Sequence, residues 1–308
     1  MKELLRIGSR GSKLALWQTN FVAGLLKARN PGMRVEISVI ATTGDKNIEH
    51  PLTMIDDKGL FTKEIEKAIL SGDADAAVHS LKDLPTDIAG GLCLAAIMER
   101  EDPSDALVAR DATSLADMPM GSRVGTGSPR RMAQLLALRP DLICKGIRGN
   151  LDTRMRKLNE SGEYDAIIVA RAGLARLGGL DRITEAFSGD RMLPAPGQGA
   201  LAVECREDDV YTREIIAALD HADTALVTRA ERAFLRVLEG GCRVPIGALG
   251  RVRGNELVLQ GVVAAADGRR LLRGEHRGPK NKRHVARRSQ ISPPGNSSCL
   301  AAAAAPAR

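Results

Sequence analysis

The chain has 308 residues, 44% hydrophobic and 27% charged, which is typical of a globular protein with two or three domain cores. Its formal net charge of +7 arises mainly at the carboxyl end, because residues 281–308 hold five basic residues and no acid, leaving 40 basic against 38 acidic residues elsewhere. Aromatic residues form only 2% of the chain, too few to stack on bases, so we expect no nucleic-acid partner.

Membrane and disulfide-rich classes are also disfavoured. No apolar run approaches the ~18 residues of a membrane span, and the amino terminus lacks the apolar stretch of a signal peptide. The five cysteines are scattered, with no Cys-x-x-Cys pair, which argues against a disulfide framework and a structural zinc site. We expect a cytoplasmic protein with reduced thiols, no metal and no membrane partner.

Short apolar strands alternate with amphipathic helices over the first 170 residues. A strand at 4–8 precedes a helix that Ser12 could cap. The residues predicted to form the apolar face of this helix are Leu14, Trp17, Phe21, Val22 and Leu25. Further strands are predicted at 35–40, 76–78, 92–98, 106–109, 123–124, 143–147 and 166–170, and further helices at 61–70, 129–138 and 152–158. This alternation predicts parallel sheets covered by helices.

The pattern changes after residue 206. A long helix predicted at 224–238 leads into the motif Gly240-Gly241-Cys242-Arg243-Val244-Pro245. Strands predicted at 248–252 and 257–263 follow, joined through Gly254-Asn255 as a hairpin. We therefore expect a third, smaller α+β domain.

Polar residues concentrate at four strand-to-helix turns, where sheets of this kind bind ligands. These turns lie at 9–12, 79–85, 125–131 and 148–154. In the third, Ser128 and Pro129 make a good helix start, which places Arg130 and Arg131 where the helix dipole disfavours cations. Helix-start amides, a serine and two guanidinium groups predict an anion site, with a solvated basic helix end as the alternative.

The ligand of these turns is expected to carry several carboxylates, since several separate arginine turns suit such a ligand better than one triphosphate. Gly125-Thr126-Gly127 resembles a phosphate loop but lacks the lysine spacing of a Walker motif. A phosphate-dependent enzyme stays open as an alternative.

Cys242 is the candidate nucleophile. A glycine-rich loop leaves room around its sulfur, and the neighbouring Arg243 favours the thiolate. The alternative is a small buried hydrophobic residue beside a turn. The remaining cysteines are expected to be inert; they are Cys93, Cys144, Cys205 and Cys299.

Taken in order, these motifs resemble those of the porphobilinogen deaminase (hydroxymethylbilane synthase) family. The resemblance covers about residues 4–280. The matching segments are Arg6 to Ser12, Lys58 to Glu64, Val78 to Asp83, Glu99 to Pro103, Gly125 to Arg131, Arg148 to Asn150, Pro196 to Ala200 and Glu239 to Pro245.

The resemblance implies a transferase that joins four porphobilinogen molecules head to tail into the linear tetrapyrrole hydroxymethylbilane, losing ammonia at each step. The product would grow on a covalent dipyrromethane cofactor, one per chain, held by a thioether to Cys242. Asp83 would be catalytic, stabilising the cationic carbon and moving protons. Lys82 would favour the ionised form of Asp83. An Asx turn before Pro85 is the alternative reading of Asp83.

The family also implies which residues bind the pyrrole carboxylates, for which the planar fork of arginine is well suited. Besides Cys242, the expected cofactor-binding residues are Ser80, Lys82, Asp83, Thr126, Ser128, Arg130, Arg131, Arg148 and Gly149. The expected substrate-binding residues are Arg10, Ser12, Lys58, Phe61, Arg148, Arg154, Arg176 and Gln198. We expect His79 to form structural hydrogen bonds rather than to act in catalysis.

The implied fold is α/β, with two doubly wound lobes like those of periplasmic binding proteins and a smaller α+β carboxyl-terminal domain. The expected limits are 1–99 with 200–217 for a discontinuous first lobe, 100–199 for the second, and 218–308 for the cysteine-bearing domain. We expect a monomer. The rival from another class is a bilobed anion-binding protein without catalytic activity.

Two departures from the family stand out. In the segment that resembles a mobile lid around Lys58, Met54 replaces a common lysine and Asp56-Asp57 replace a usual small pair. From about residue 281 the chain reads as a changed frame or a disordered tail instead of an amphipathic helix. We therefore expect a less stable third domain than in relatives.

Overall fold

A computed structural model describes residues 3–43, 62–238 and 244–280. Three segments for which the sequence makes predictions lie outside these residues. They are the lid with Met54, Lys58 and Phe61, the loop of Cys242, and the tail from residue 281.

The described residues form thirteen strands and seven α-helices. The strands are β1 (Leu4–Ser9), β2 (Arg34–Val39), β3 (Ala76–Ser80), β4 (Leu92–Ile97), β5 (Asp105–Ala109), β6 (Arg123–Gly125), β7 (Ile143–Lys145), β8 (Ala166–Ala170), β9 (Glu185–Ala186), β10 (Leu201–Arg206), β11 (Ile246–Arg253), β12 (Glu256–Ala264) and β13 (Leu271–Pro279). The helices are α1 (Lys13–Arg29), α2 (Lys63–Ser71), α3 (Pro129–Leu138), α4 (Leu151–Glu160), α5 (Arg171–Arg176), α6 (Val210–Ala217) and α7 (Ala222–Val237). Short 3₁₀ turns lie at Leu81–Asp83 and Leu180–Arg182. No helix in this part of the chain is long and apolar enough to cross a bilayer.

Two five-stranded sheets share one arrangement, in the orders β2-β1-β3-β10-β4 and β7-β6-β8-β5-β9. In the first, β1 pairs in parallel with β2 and β3, whereas β10 runs antiparallel to β3 and β4. In the second, β6 pairs in parallel with β7 and β8, whereas β5 runs antiparallel to β8 and β9.

The prediction of purely parallel sheets is therefore wrong, because each sheet has one reversed strand. β5 and β10 are the strands that follow the two crossings of the chain between the lobes. Leu201 pairs with Ser80 at the carboxyl end of β3, and Asp105 pairs with Ala170 at the carboxyl end of β8. A strand that enters a sheet at the carboxyl ends of its parallel strands must run opposite to them.

Helix α1 buries a face that matches the predicted one only in part, since Val22 is buried and Leu25 packs on the core as expected. Its Ser12 cap is confirmed, since Ser12 Oγ accepts a hydrogen bond from the Ala15 amide at 3.2 Å. Trp17 and Phe21, however, are 38% and 45% exposed and stack on each other at 5.2 Å. The buried residues of the helix are Gln18, Thr19, Val22, Ala23 and Leu26. The helix turns this face inward because Gln18 and Thr19 hydrogen-bond to serines at the ends of β3 and β1.

The third sheet is antiparallel, in the order β11-β12-β13, and α7 packs against it. The predicted hairpin is confirmed, since Arg253 and Glu256 form the last pair before the turn at Gly254-Asn255. The sequence did not predict β13, whose side chains are mostly exposed and carry no alternating apolar pattern. The fold class is confirmed as two α/β lobes and a smaller α+β domain.

Candidate active site

A cavity of about 330 Å³ lies between the two lobes, at the carboxyl ends of their parallel strands. β1 ends at its edge with Arg10, and β3 ends there with the turn that carries Lys82 and Asp83. Among the described residues, six cationic side chains and one acid line the cavity. The cations are Arg10, Lys82, Arg131, Arg148, Arg154 and Arg176, and the acid is Asp83. Such a wall favours a ligand with several negative charges.

The turn after β3 presents its two charged residues differently. Asp83 is exposed to the cavity, whereas Lys82 is half-buried and its Nζ donates a hydrogen bond to Gln198 Oε1 at 3.3 Å. Burial lowers the pKa of Lys82 to about 8; the charge of Asp83 opposes this shift and that of Arg131 adds to it. Lys82 therefore sits where a bound carboxylate would stabilise its charged form.

Arg130 and Arg131 both pair with Asp105, a fully buried acid that the sequence did not single out. Asp105 Oδ2 lies 2.6 Å from Arg130 Nη1, and Asp105 Oδ1 lies 2.7 Å from Arg131 Nη2. Burial alone raises the pKa of Asp105, but the two guanidinium charges outweigh it and hold this pKa below its usual range. A charged residue at the start of the apolar strand β5 was the available signal.

The anion predicted at the start of α3 is thus present within the chain as the Asp105 carboxylate. Arg131 still lines the cavity, but Arg130, Thr126 and Ser128 do not. Ser128 caps α3 as predicted, accepting a hydrogen bond from the Arg131 amide, and Thr126 Oγ1 accepts one from the Ser128 amide at 3.2 Å. These residues brace the helix that carries Arg131.

Arg154 and Arg176 complete the wall from the second lobe. Arg154 Nε donates to Gly149 O at 2.8 Å, and Arg176 Nη2 donates to Gly199 O at 2.6 Å. Burial lowers the pKa of Arg154 to about 10, with the charge of Arg131 adding to the shift, and burial likewise lowers the pKa of Arg176 to about 10. Their guanidinium groups would gain from carboxylate partners.

Gly149 is required by backbone geometry, since its φ is +108° and a Cβ there would lie 2.6 Å from Thr153 Cγ2. Arg148 on one side of it and Arg154 one turn into α4 both line the cavity. The left-handed glycine lets the chain turn into α4 while both side chains face the cleft.

Gln198 and His79 serve as supports. Gln198, predicted to bind substrate, does not line the cavity; its Nε2 donates to Asp105 Oδ1 at 2.9 Å while its Oε1 accepts from Lys82. His79 lines the cavity and its Nε2 lies 3.1 Å from Oε2 of the buried Glu204, which is the expected hydrogen-bonding role. Glu204 lies in an otherwise apolar strand and was missed in the sequence.

Two of the described cysteines, Cys144 and Cys205, have the features expected of inert thiols. Burial, followed by the neighbouring Cys93, raises the pKa of Cys205 to about 12, and burial raises that of Cys144 to about 11. At neutral pH such thiols hold almost no thiolate, which is the reactive form. Cys299 and Cys242 lie outside the described residues.

The sequence comparisons with known proteins all identify the same family. A family model described as "Porphobilinogen deaminase, dipyromethane cofactor binding domain" matches residues 5–214, and "Porphobilinogen deaminase, C-terminal domain" matches 225–286. Curated proteins named porphobilinogen deaminase from Geobacter metallireducens and Geobacter sulfurreducens are each 52% identical over 275 residues, covering 89% of this chain and 86% of theirs. One from Desulforamulus reducens is 48% identical over 282 residues, covering 92% of this chain and 91% of its own.

Among solved structures, the methionine-binding protein MetQ is similar over 77% of this chain and 94% of its own. The TM-score is 0.47 and the sequence identity 11%, a similarity too low to support any argument about this chain.

Proposed function

Because the chain belongs to the porphobilinogen deaminase family, we propose that the cavity between its lobes is the active site, with Asp83 as the catalytic residue and Cys242 as the cofactor attachment point. The protein is a transferase of tetrapyrrole biosynthesis that joins four porphobilinogen molecules into hydroxymethylbilane and uses a dipyrromethane cofactor. The family match carries this conclusion and disfavours an anion-binding protein without catalysis.

The residues around the cavity fit a dipyrromethane, whose side groups are carboxylates. When bound, this group supplies the pyrrole to which the next porphobilinogen is joined. Lys82, Arg131 and Arg148 reach the cavity and would hold its carboxylates, with Ser80 and Gly149 beside them. Three expected cofactor-binding residues do not line the cavity and would act indirectly, by holding Arg131 in place; they are Arg130, Thr126 and Ser128.

Asp83 is suited to the reacting carbon, being the one acid on the described cavity wall. Loss of ammonia from the aminomethyl group of porphobilinogen leaves an electron-poor carbon conjugated with the pyrrole nitrogen. A carboxylate beside that nitrogen stabilises the developing positive charge and can accept or return its proton.

The substrate carboxylates would be bound by Arg10, Ser12, Arg154 and Arg176, which also line the cavity. Arginine can bind each carboxylate through two parallel hydrogen bonds, which sets the orientation of the ring as well as its affinity. Lys58 and Phe61 lie outside the described residues, and their role in binding substrate stays a prediction. Gln198 is better placed to hold Lys82 than to touch substrate.

We further propose the domain limits 1–99 with 200–217, 100–199 and 218–308, for which the pairing of β10 within the first sheet is the support. We also propose a monomer that works in the cytoplasm on porphobilinogen, without nucleic-acid or membrane partners. The nearly balanced charge of residues 1–280 and the biosynthetic family favour this description.

The attachment of the cofactor is tested by intact-mass spectrometry of the purified protein. We expect a mass above that of the sequence by one dipyrrole, lost in Cys242→Ser and kept in the control Cys144→Ser. Turnover by protein that carries no such adduct would contradict the proposal.

The role of Asp83 is tested with Asp83→Asn, which keeps the shape of the side chain but removes its charge. We expect the adduct to be retained while kcat falls at least about 100-fold, since general acid–base help is worth about 10²- to 10⁴-fold. Near-normal kcat in adduct-bearing Asp83→Asn would exclude Asp83 as the catalytic residue.

A further inference from the structure

Arg232 lies on α7 of the third domain, and its side chain reaches the turn that carries Asp83 in the first lobe. Its guanidinium donates hydrogen bonds to main-chain carbonyls on both sides of that acid. The accepting oxygens are those of Leu81 (3.5 Å), Leu84 (3.1 Å), Pro85 (2.5 Å) and Thr86 (3.2 Å). One planar group thus binds four main-chain carbonyls of the turn.

These bonds matter because the turn has few other main-chain partners. On its amino-terminal side, the Leu81 amide donates to Ala200 O at 3.0 Å, and the Leu81 side chain packs against Gly197, where a Cβ would come within 2.9 Å. On its carboxyl-terminal side, Pro85 has no amide hydrogen to donate. Arg232 supplies a contact that holds this second side, and partly buried carbonyls left without a partner would be costly.

The position of Arg232 in the sequence gives this contact a further consequence. α7 ends at Val237, five residues before Cys242, so the helix that holds the Asp83 turn also leads directly to the proposed cofactor attachment point. Arg232 itself does not line the cavity. Among the described contacts, its route to the reaction is the turn that it holds.

We propose that Arg232 is a positioning residue for this reaction, which fixes the turn of Asp83 in the first lobe against α7 of the third domain. The inference rests on the proposed catalytic role of Asp83. The third domain would then support the catalytic acid, besides supplying the cysteine.

The test compares Arg232→Met and Arg232→Lys with Arg229→Met, which makes the same change at an exposed position of the same helix. In adduct-bearing protein we expect Arg232→Met to lower kcat about 10- to 100-fold, the scale of a misplaced catalytic group. KM should stay within about threefold, since five of the six cavity cations lie outside this turn. Arg232→Lys should recover part of kcat, because one ammonium can bind only some of the carbonyls.

Hydrogen exchange gives a readout that does not depend on activity. We expect the amides of residues 81–86 to exchange faster in Arg232→Met than in Arg229→Met. If Arg232→Met does not fold, Arg232→Lys alone is compared with Arg229→Met. We then expect Arg232→Lys to have a lower kcat and faster exchange in the turn than Arg229→Met, by less than is expected for Arg232→Met.

The inference is overturned if the Arg232 variants, counted per adduct-bearing molecule, match the kcat of Arg229→Met. It is also overturned if they lose activity through KM with unchanged exchange in the turn. Asp83→Asn separates the two proposals. If that variant is inactive while Arg232→Met is normal, only the inference fails; if Asp83→Asn is active, the proposed function of Asp83 fails.

Discussion

At the scale of single residues, Asp105 holds two adjacent arginines that differ in their access to the cavity. Its two oxygens take Arg130 and Arg131 in a site from which water is excluded, where an unpaired charge would be very costly. Arg130 is bound further by Leu193 O at 2.8 Å and remains inside the second lobe. Arg131 keeps its place on the cavity wall, held in orientation by the same acid.

Lys82 carries a pH dependence that follows from its lowered pKa. In the folded protein it loses its proton near pH 8, whereas an unfolded lysine keeps it to about 10.5. Between these values the unfolded state binds more protons, so the free energy of unfolding rises with pH. We expect urea unfolding from about pH 7 to about pH 10 to show a change in this free energy that is more positive in the native chain than in Lys82→Met, since the buried thiols act equally on both.

The exposed Lys67→Met is the matched control and should keep the pH dependence of the native chain. Carboxylates bound to Lys82 would raise its pKa and so narrow the pH range in which Lys82 makes the free energy of unfolding rise. Cys242→Ser, which lacks the adduct, should therefore show a larger contribution from Lys82 than adduct-bearing protein. Parallel curves for the native chain and Lys82→Met would show that Lys82 does not titrate in this range.

At the scale of elements, α7 and β11 lie close together at Gly250. A Cβ at that position would lie 2.8 Å from Val227 Cβ and 3.1 Å from Val227 O, on the facing side of the helix. The Gly250 amide also donates to Glu231 Oε1 at 2.7 Å. The helix that leads to Cys242 is thus packed on the sheet at a distance only glycine permits.

We expect Gly250→Ala to lower the free energy of unfolding by about 1–3 kcal/mol, the usual cost of overpacking. Denaturant unfolding measures the loss, and Gly274→Ala on β13 is the control, because nothing lies within 4 Å of a Cβ there. Equal stability of the two variants would show that α7 can move away from the sheet without cost.

At the scale of the whole molecule, one buried ion pair joins α7 of the third domain to the crossings between the two lobes. Glu231 on α7 binds Arg100 Nη1 at 2.6 Å, the Gly197 amide at 2.7 Å and the Gly250 amide at 2.7 Å. Arg100 and Gly197 lie on the two crossings between the lobes, whereas Gly250 belongs to the third domain. If the third domain moves relative to the lobes, α7 must either move together with the crossings or lose the Arg100–Glu231 ion pair.

We expect Arg100→Met and Glu231→Gln each to cost about 3–5 kcal/mol, because each leaves a buried group without its partner. The double variant should cost clearly less than the sum, since it removes both charges. Denaturant unfolding of the native chain, the two single variants and the double variant gives the coupling free energy between Arg100 and Glu231. The exposed pair Arg34–Glu36 is the control, for which we expect little coupling. Additive losses would show that the pair does not join the domains.

The sequence by itself determined the features that are encoded within a few residues or by ordered motifs. The caps at Ser12 and Ser128 were predictable because a cap involves only a short stretch of chain. Strand and helix alternation predicted the two α/β lobes, and the ordered motifs predicted the family. Periodicity failed on α1, where Trp17 and Phe21 face outward, because contacts made by Gln18 and Thr19 decided which face is buried.

Only the tertiary structure decided which polar groups meet. Arg130 and Asp105 are 25 residues apart, Lys82 and Gln198 are 116 apart, and Arg232 lies 148 residues from Leu84. Local propensity and hydrophobic period carry no information about such pairs, because chain crossings and domain packing bring them together. The chain's own sequence therefore specified that a cationic cleft exists, whereas the fold specified which cations face it and which are bound within the interior.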